Sequence, residues 1–144
     1  GAVIMAEAVL KQSQRPEMKT LAEAIIKAQT TEINQMQQWR KAWYPQADDT
    51  PMAWHAPMGH MMAMSPEQRE AMMMSKSLGA TDAEFDLRFL NAMIPHHQGA
   101  IAMAKEVLSK SQRPEIKQLA EAILADQQTE IRQMEQWRRN WYGQ

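Results

Sequence analysis

Between Pro45 and Ala80 the chain concentrates side chains that bind soft metal ions. Met52, His55, Met58, His60, Met61, Met62 and Met64 fall within thirteen residues, and Met72, Met73 and Met74 follow. Eight of the fourteen Met lie in this stretch, yet from Pro45 through Ser77 there is no Leu, Ile or Val. Met fills irregular core gaps well, but selection for burial alone would hardly exclude all three aliphatics. A thioether is a soft donor suited to Cu(I) and its congener Ag(I), and it binds without losing a proton. Imidazole is a borderline ligand that completes such sites. On a helix, Met58 would share a face with Met61 and Met62, and His60 with Met64. Met72, Met73 and Met74 cannot all point one way, so at most two serve one ion. The strip is expected to hold several ions, each by two to four ligands.

A second constellation is Met93, His96, His97 and Met103. Met93 precedes His96 by three residues and His97 by four, and His96 and Met103 are seven apart along one helical face. Imidazole is the commonest protein metal ligand, so adjacent His flanked by Met is a candidate site. The competing reading buries His97 as a partner of Asp86 or Glu130. Met5, Met18, Met36 and Met134 recur at helical spacing and are expected in the core. Met36 and Met134 occupy corresponding positions and remain available to lend sulfur. Trp39, Trp43, Trp137 and Trp141 are read as the apolar ends of long helices.

These residues sit on a duplicated framework. Gly1 to Tyr44 and Gly99 to Tyr142 align at an offset of 98, with 28 of 44 positions identical. In the second copy Ile116, Leu119, Ile123, Gln127, Ile131, Met134, Trp137 and Trp141 recur at three- and four-residue spacing, amid good helix formers. Pro16 and Pro114 follow Ser-Gln-Arg and belong in a first helical turn. Each copy is thus an αα-hairpin, and the pair predicts an all-α four-helix bundle. The boundaries are 1–44 for the first hairpin, 45–80 for an irregular Met/His-rich crossover with a short helix from Pro66, and 81–144 for the second. A single compact domain results. Thr81 and Glu84 suggest a capping box, with a stripe of Phe85, Phe89, Ala92 and Met93 behind it. Pro95 is expected to kink or restart that helix. The first copy lacks this upstream stretch, so its first helix should be short, as if cut where its own Pro-His-His-Gln would stand.

Composition narrows the chemistry. A net charge of -1 gives no basic footprint for nucleic acid. Without Cys there are no disulfides, thiolate zinc sites, iron–sulfur clusters or cysteine nucleophiles. No apolar run is long enough to span a membrane. Gly1 opens directly into an amphipathic pattern, as a trimmed mature chain would. Glu-x-x-His pairs, HExxH, GxSxG and Gly-rich phosphate loops are lacking, so catalysis is not expected. Glu23, Glu32, Glu121 and Glu130 read as exposed or semi-exposed charge.

The stretch Phe85 to Ala104 resembles domain-of-unknown-function family 305. Asp86, Phe89, Met93, Pro95, His96, His97, Gln98, Gly99, Ala100, Met103 and Ala104 match its motif. A later element matches at Glu130, Ile131, Met134 and Trp137, and again at Glu32, Ile33, Met36 and Trp39. The resemblance implies a ferritin-like bundle in secreted or periplasmic bacterial proteins, with Met93, His96, His97 and Met103 as metal candidates. The duplicated arrangement with a Met-rich centre is similar to the CopM-type periplasmic copper-binding proteins. The expected function is Cu(I)/Ag(I) binding for copper sequestration, trafficking or resistance, with Cu(II) as a further ion. Other copper carriers or efflux components are the implied partners, and a homodimer would cover apolar surface at the incomplete first copy. Rival readings are a Met-rich interaction module and a cuprous oxidase.

Overall fold

The computed structural model describes residues 1–55, 58–73 and 77–144, and of these the side chains at 53–55, 61, 68 and 71–73 are not described. Four helices build the bundle: α1 (Ala2–Gln12), α2 (Pro16–Trp43), α4 (Phe85–Lys110) and α5 (Pro114–Tyr142). Between α2 and α4 lie β1 (Met52–His55), β2 (His60–Ala63) and α3 (Pro66–Met73). The fold is the expected ferritin-like helical bundle of two αα-hairpins.

The two hairpin turns are built alike. Pro16 and Pro114 each take the first helical position, where the missing N–H costs nothing. Ser13 Oγ accepts the Arg15 N–H at 3.2 Å, and Ser111 Oγ accepts the Arg113 N–H at 3.2 Å. The Arg15 guanidinium lies 4.2 Å over the Trp141 ring, and that of Arg113 lies 3.9 Å over Trp43. Trp39 stacks on Trp43 and Trp137 on Trp141, so the aromatic ends of α2 and α5 each meet the other repeat's turn.

The start of α4 departs from expectation. No capping box forms: Thr81 donates to Gln12 Oε1 at 2.6 Å, and the helix begins only at Phe85. Asp82 Oδ1 instead accepts the Glu84 N–H at 3.0 Å. Arg88 then ties the end of the crossover to α4 by donating to Leu78 O, Ala80 O and Asp82 Oδ1 at 2.5, 2.6 and 2.9 Å. Pro95 lies inside α4, which continues through it without restarting. α1 spans 11 residues and α4 26.

The crossover is more ordered than an irregular connection. β1 and β2 pair antiparallel, with Met52 opposite Ala63, Trp54 opposite Met61, and His55 opposite His60. Gly59, at φ +67°, supplies the left-handed residue that turns the chain. Met64 N–H donates to Pro51 O at 2.9 Å and extends the pairing. Arg40 near the end of α2 holds the entry to this segment through Asp49 Oδ1 at 3.1 Å and the Asp48 carbonyl.

One buried cluster joins α1, the first half of α2, the first half of α4 and Met134 of α5. Phe85, Phe89, Leu90 and Met93 of α4 belong to it, with Met5, Val9 and Met18 of the first hairpin. The first half of α4 therefore serves as the wedge that fills this end of the bundle.

Candidate metal site

Helical geometry divides the His-His constellation into two faces. Met93 and His97 are both fully buried among the wedge residues. The Nε2–H of His97 donates to Glu130 Oε2 of α5 at 2.5 Å, which makes Nε2 the protonated nitrogen against a carboxylate acceptor. Its Nδ1 meets no hydrogen-bond partner among the described residues. His96, one residue earlier, turns about 100° away, with ring centroids 6.1 Å apart. It lines a cleft of about 340 Å³ between α2, α4 and α5.

Three soft or borderline donors share that cleft: His96 and Met103 of α4, and Met36 of α2. Met36 is 41% exposed and Met103 57% exposed. His96 Nδ1 is buried without a partner among the described residues. Burial first, then His97 and the amino terminus, holds His96 below the ordinary imidazole value of 6.5. At neutral pH the ring is therefore neutral and keeps a lone pair for a metal. Among the described residues no three His, Asp or Glu converge to hold an ion. The soft and borderline donors lining the cleft are two thioethers and one imidazole, the chemistry of a soft monovalent ion.

The cleft is the repeat image of the core. Met36, Met103, Val107, Ile116, Leu119 and Ile123 line it. Their counterparts 98 residues away, Met134, Met5, Val9, Met18, Leu21 and Ile25, are all buried. Met134 is 0% exposed and Met5 4% exposed. Met36, expected as core packing, is instead exposed and lines the cleft.

The crossover donors lie on the hairpin and on α3. Met58 and His60 flank Gly59 at the turn, where His60 Nδ1 lies 3.1 Å from Met58 O. Met52, Met58 and Met62 are exposed, and Met64 is half-buried. The helical grouping of Met58 with Met61 and Met62, and of His60 with Met64, does not occur, because this segment is extended. On β2, His60 and Met62 instead share a face by strand alternation. The register sets His55 against His60, which gathers both crossover histidines at the turn end of the ladder. Met72 and Met73 end α3, and Met74 lies outside the described residues.

Glu32, read from sequence as exposed or semi-exposed charge, and Glu130, read so but also as the alternative partner of a buried His97, both belong to the site's surroundings. Glu130 holds His97. Glu32, its repeat counterpart, lines the cleft. Burial first, then Asp126 and Glu130, raises its carboxyl above the usual 4.5, with His97 opposing.

Fold and site together define a helical bundle with thioether and imidazole donors, built on a duplicated hairpin. Residues 1–138 match the family described as Domain of unknown function (DUF305), and the chain belongs to that family. Over 49 residues it is 49% identical to the uncharacterized protein L153 of Acanthamoeba polyphaga mimivirus. That match takes in 34% of this chain and 32% of the relative, about a third of the relative's length. Among solved structures it is similar to CopM in the Cu(I)-bound form, with 34% identity and a TM-score of 0.71 over 98% of this chain and 87% of that one. CopM has also been solved with Ag and with Cu(II) bound. A family protein from Streptomyces coelicolor, described as secreted, is 28% identical over 92% of this chain and 78% of its own, with a TM-score of 0.67. No helix among the described residues is long and apolar enough to cross a membrane.

Proposed function

We propose that this chain binds Cu(I), with Ag(I) as its mimic, and sequesters or hands on copper in the bacterial periplasm without catalytic turnover. The observation that carries this reading is that His96, Met36 and Met103 line one cleft, with the imidazole held neutral by burial. The exposed Met and His of the crossover form a second group of sites. Met93 and His97 form a buried pair in which the lone pair of the imidazole is on Nδ1, so an ion held there would leave the His97 Nε2–Glu130 bond in place. Thioethers suit an oxidising compartment, where thiols pass into disulfides while Met keeps its sulfur available until it is oxidised to sulfoxide. Similarity to the copper- and silver-bound CopM structures supports the choice of ion.

The test is anaerobic titration with Ag(I) and with Cu(I), counting bound ions by mass spectrometry. Triple replacement at the cleft (Met36→Leu, Met103→Leu, His96→Ala) should remove one ion and leave the crossover sites filled. Met-to-Leu replacement at 58, 61, 62 and 64 should do the reverse. Protons compete with metal only below the depressed His96 pKa, so cleft silver should survive at pH 6.5 and be displaced on further acidification. Wild-type protein that takes up no ion would end this reading, and oxygen consumption on Cu(I) addition would replace it with an oxidase.

A further inference from the structure

The wedge helix buries two titratable side chains, and its neighbours answer them differently. Asp86 Oδ2 lies 3.4 Å from Arg15 Nε, so a guanidinium balances its charge. His97 is 0% exposed, and its Nε2–H donates to Glu130 Oε2 of α5 at 2.5 Å. No Lys or Arg pairs with Glu130 among the described residues. A carboxylate can only accept, so this bond fixes the tautomer. In the neutral ring the proton is on Nε2 and the lone pair stands on Nδ1. That Nδ1 is buried and has no partner among the described residues. A buried acceptor left unanswered costs free energy until a donor or an ion meets it. Met93, also fully buried, lies four residues earlier on the same face of α4. Helical side chains lean toward the helix N-terminus, which carries the His97 ring toward Met93.

Granted the copper reading above, on which this rests, we infer that Glu130 is the positioning residue of a buried soft-metal site made by His97 Nδ1 and Met93 Sδ. Glu130 acts through the imidazole in two ways. Its bond holds the ring proton on Nε2, so Nδ1 can take a metal without first losing a proton. Its charge makes the ring a stronger donor and offsets the charge that Cu(I) or Ag(I) brings into the core. One imidazole and one thioether suit a soft monovalent ion. Loading breaks no bond between α4 and α5, because the nitrogen that binds metal is not the one that Glu130 holds.

The test uses the full chain with isotope-labelled histidine and methionine, titrated anaerobically with Ag(I) and followed by NMR. Before metal is added, the ring nitrogens of His97 should report a protonated Nε2 and a bare Nδ1. Ag(I) should move Nδ1 and the Met93 methyl together while the Nε2 proton stays in place. Glu130→Gln keeps an acceptor oxygen but removes the charge, so the tautomer should persist and Ag(I) affinity at His97 should fall by about tenfold. Glu130→Leu removes both, so the tautomers should mix and the affinity should fall by about a hundredfold. Met93→Leu nearly conserves volume. It should weaken Ag(I) at His97 with the tautomer unchanged, which separates a ligand from a positioning residue. The crossover methyls should titrate alike in all four proteins. A His97 Nδ1 that ignores Ag(I) while the crossover methyls saturate overturns this inference and leaves the copper reading standing, whereas silence at every Met and His ends both. Ag(I) on Nε2 also overturns it, as does undiminished affinity in Glu130→Leu, because a merely structural contact would lower stability without moving tautomer-linked affinity.

Discussion

The two ends of this bundle are built from the same repeat, and they differ in what covers them. At one end Met5, Val9 and Met134 are packed under Phe85 and Phe89. At the other, Met103, Val107 and Met36 line an open cleft. The same residue type at the same repeat position is packing in one place and an accessible thioether in the other. Burial, and with it chemical role, is here decided by whether an amphipathic wedge is present. The polar anchors follow the same rule: Glu130 is answered by His97, and Glu32 lacks such a partner among the described residues.

The largest consequence is for stability. Met134→Ala should destabilise the protein by about 2–5 kcal/mol, since it opens a cavity in a closed core. Met36→Ala, at the matching position, should stay within about 0.5 kcal/mol. Denaturant unfolding of the two variants measures the contrast, and equal losses would break the comparison. The polar anchors come next. His97→Ala should cost about 2 kcal/mol, because a fully buried ring and its bond to Glu130 are both lost. Glu32→Gln should be neutral or slightly stabilising at pH 7, within about 0.5 kcal/mol once solvent screening is allowed for. The sign follows from linkage. A carboxyl raised in the folded state is penalised when ionised, so the gain on removing its charge is full above the raised pKa. It disappears below the ordinary value of 4.5, and repeating the unfolding at pH 4 checks this.

Much of this architecture was legible in the residues. Helical spacing, the Ser-Gln-Arg-Pro turns and the 98-residue offset lead directly to two αα-hairpins. The His-His motif lies on α4, and His96 lines the cleft. Two things were not legible, each for a physical reason. The crossover pairs as a β-hairpin although Met favours helix, because strand pairing and the left-handed Gly59 override that local preference. The division of Met36 from Met134, and of Glu32 from Glu130, cannot be read from identical repeat positions. Exposure there depends on a tertiary neighbour, the first half of α4, which packs on Met134 and not on Met36 among the described residues.

The central claim is that the open-end methionines bind soft metal while their buried counterparts only pack. Methyl-resolved NMR of methionine-labelled protein during anaerobic Ag(I) titration tests it residue by residue. The Met36 and Met103 methyls, with those of the crossover, should shift and saturate, while Met134 and Met5 stay unchanged. Matching shifts at Met134 and Met5, or none at Met36 and Met103, would contradict the account.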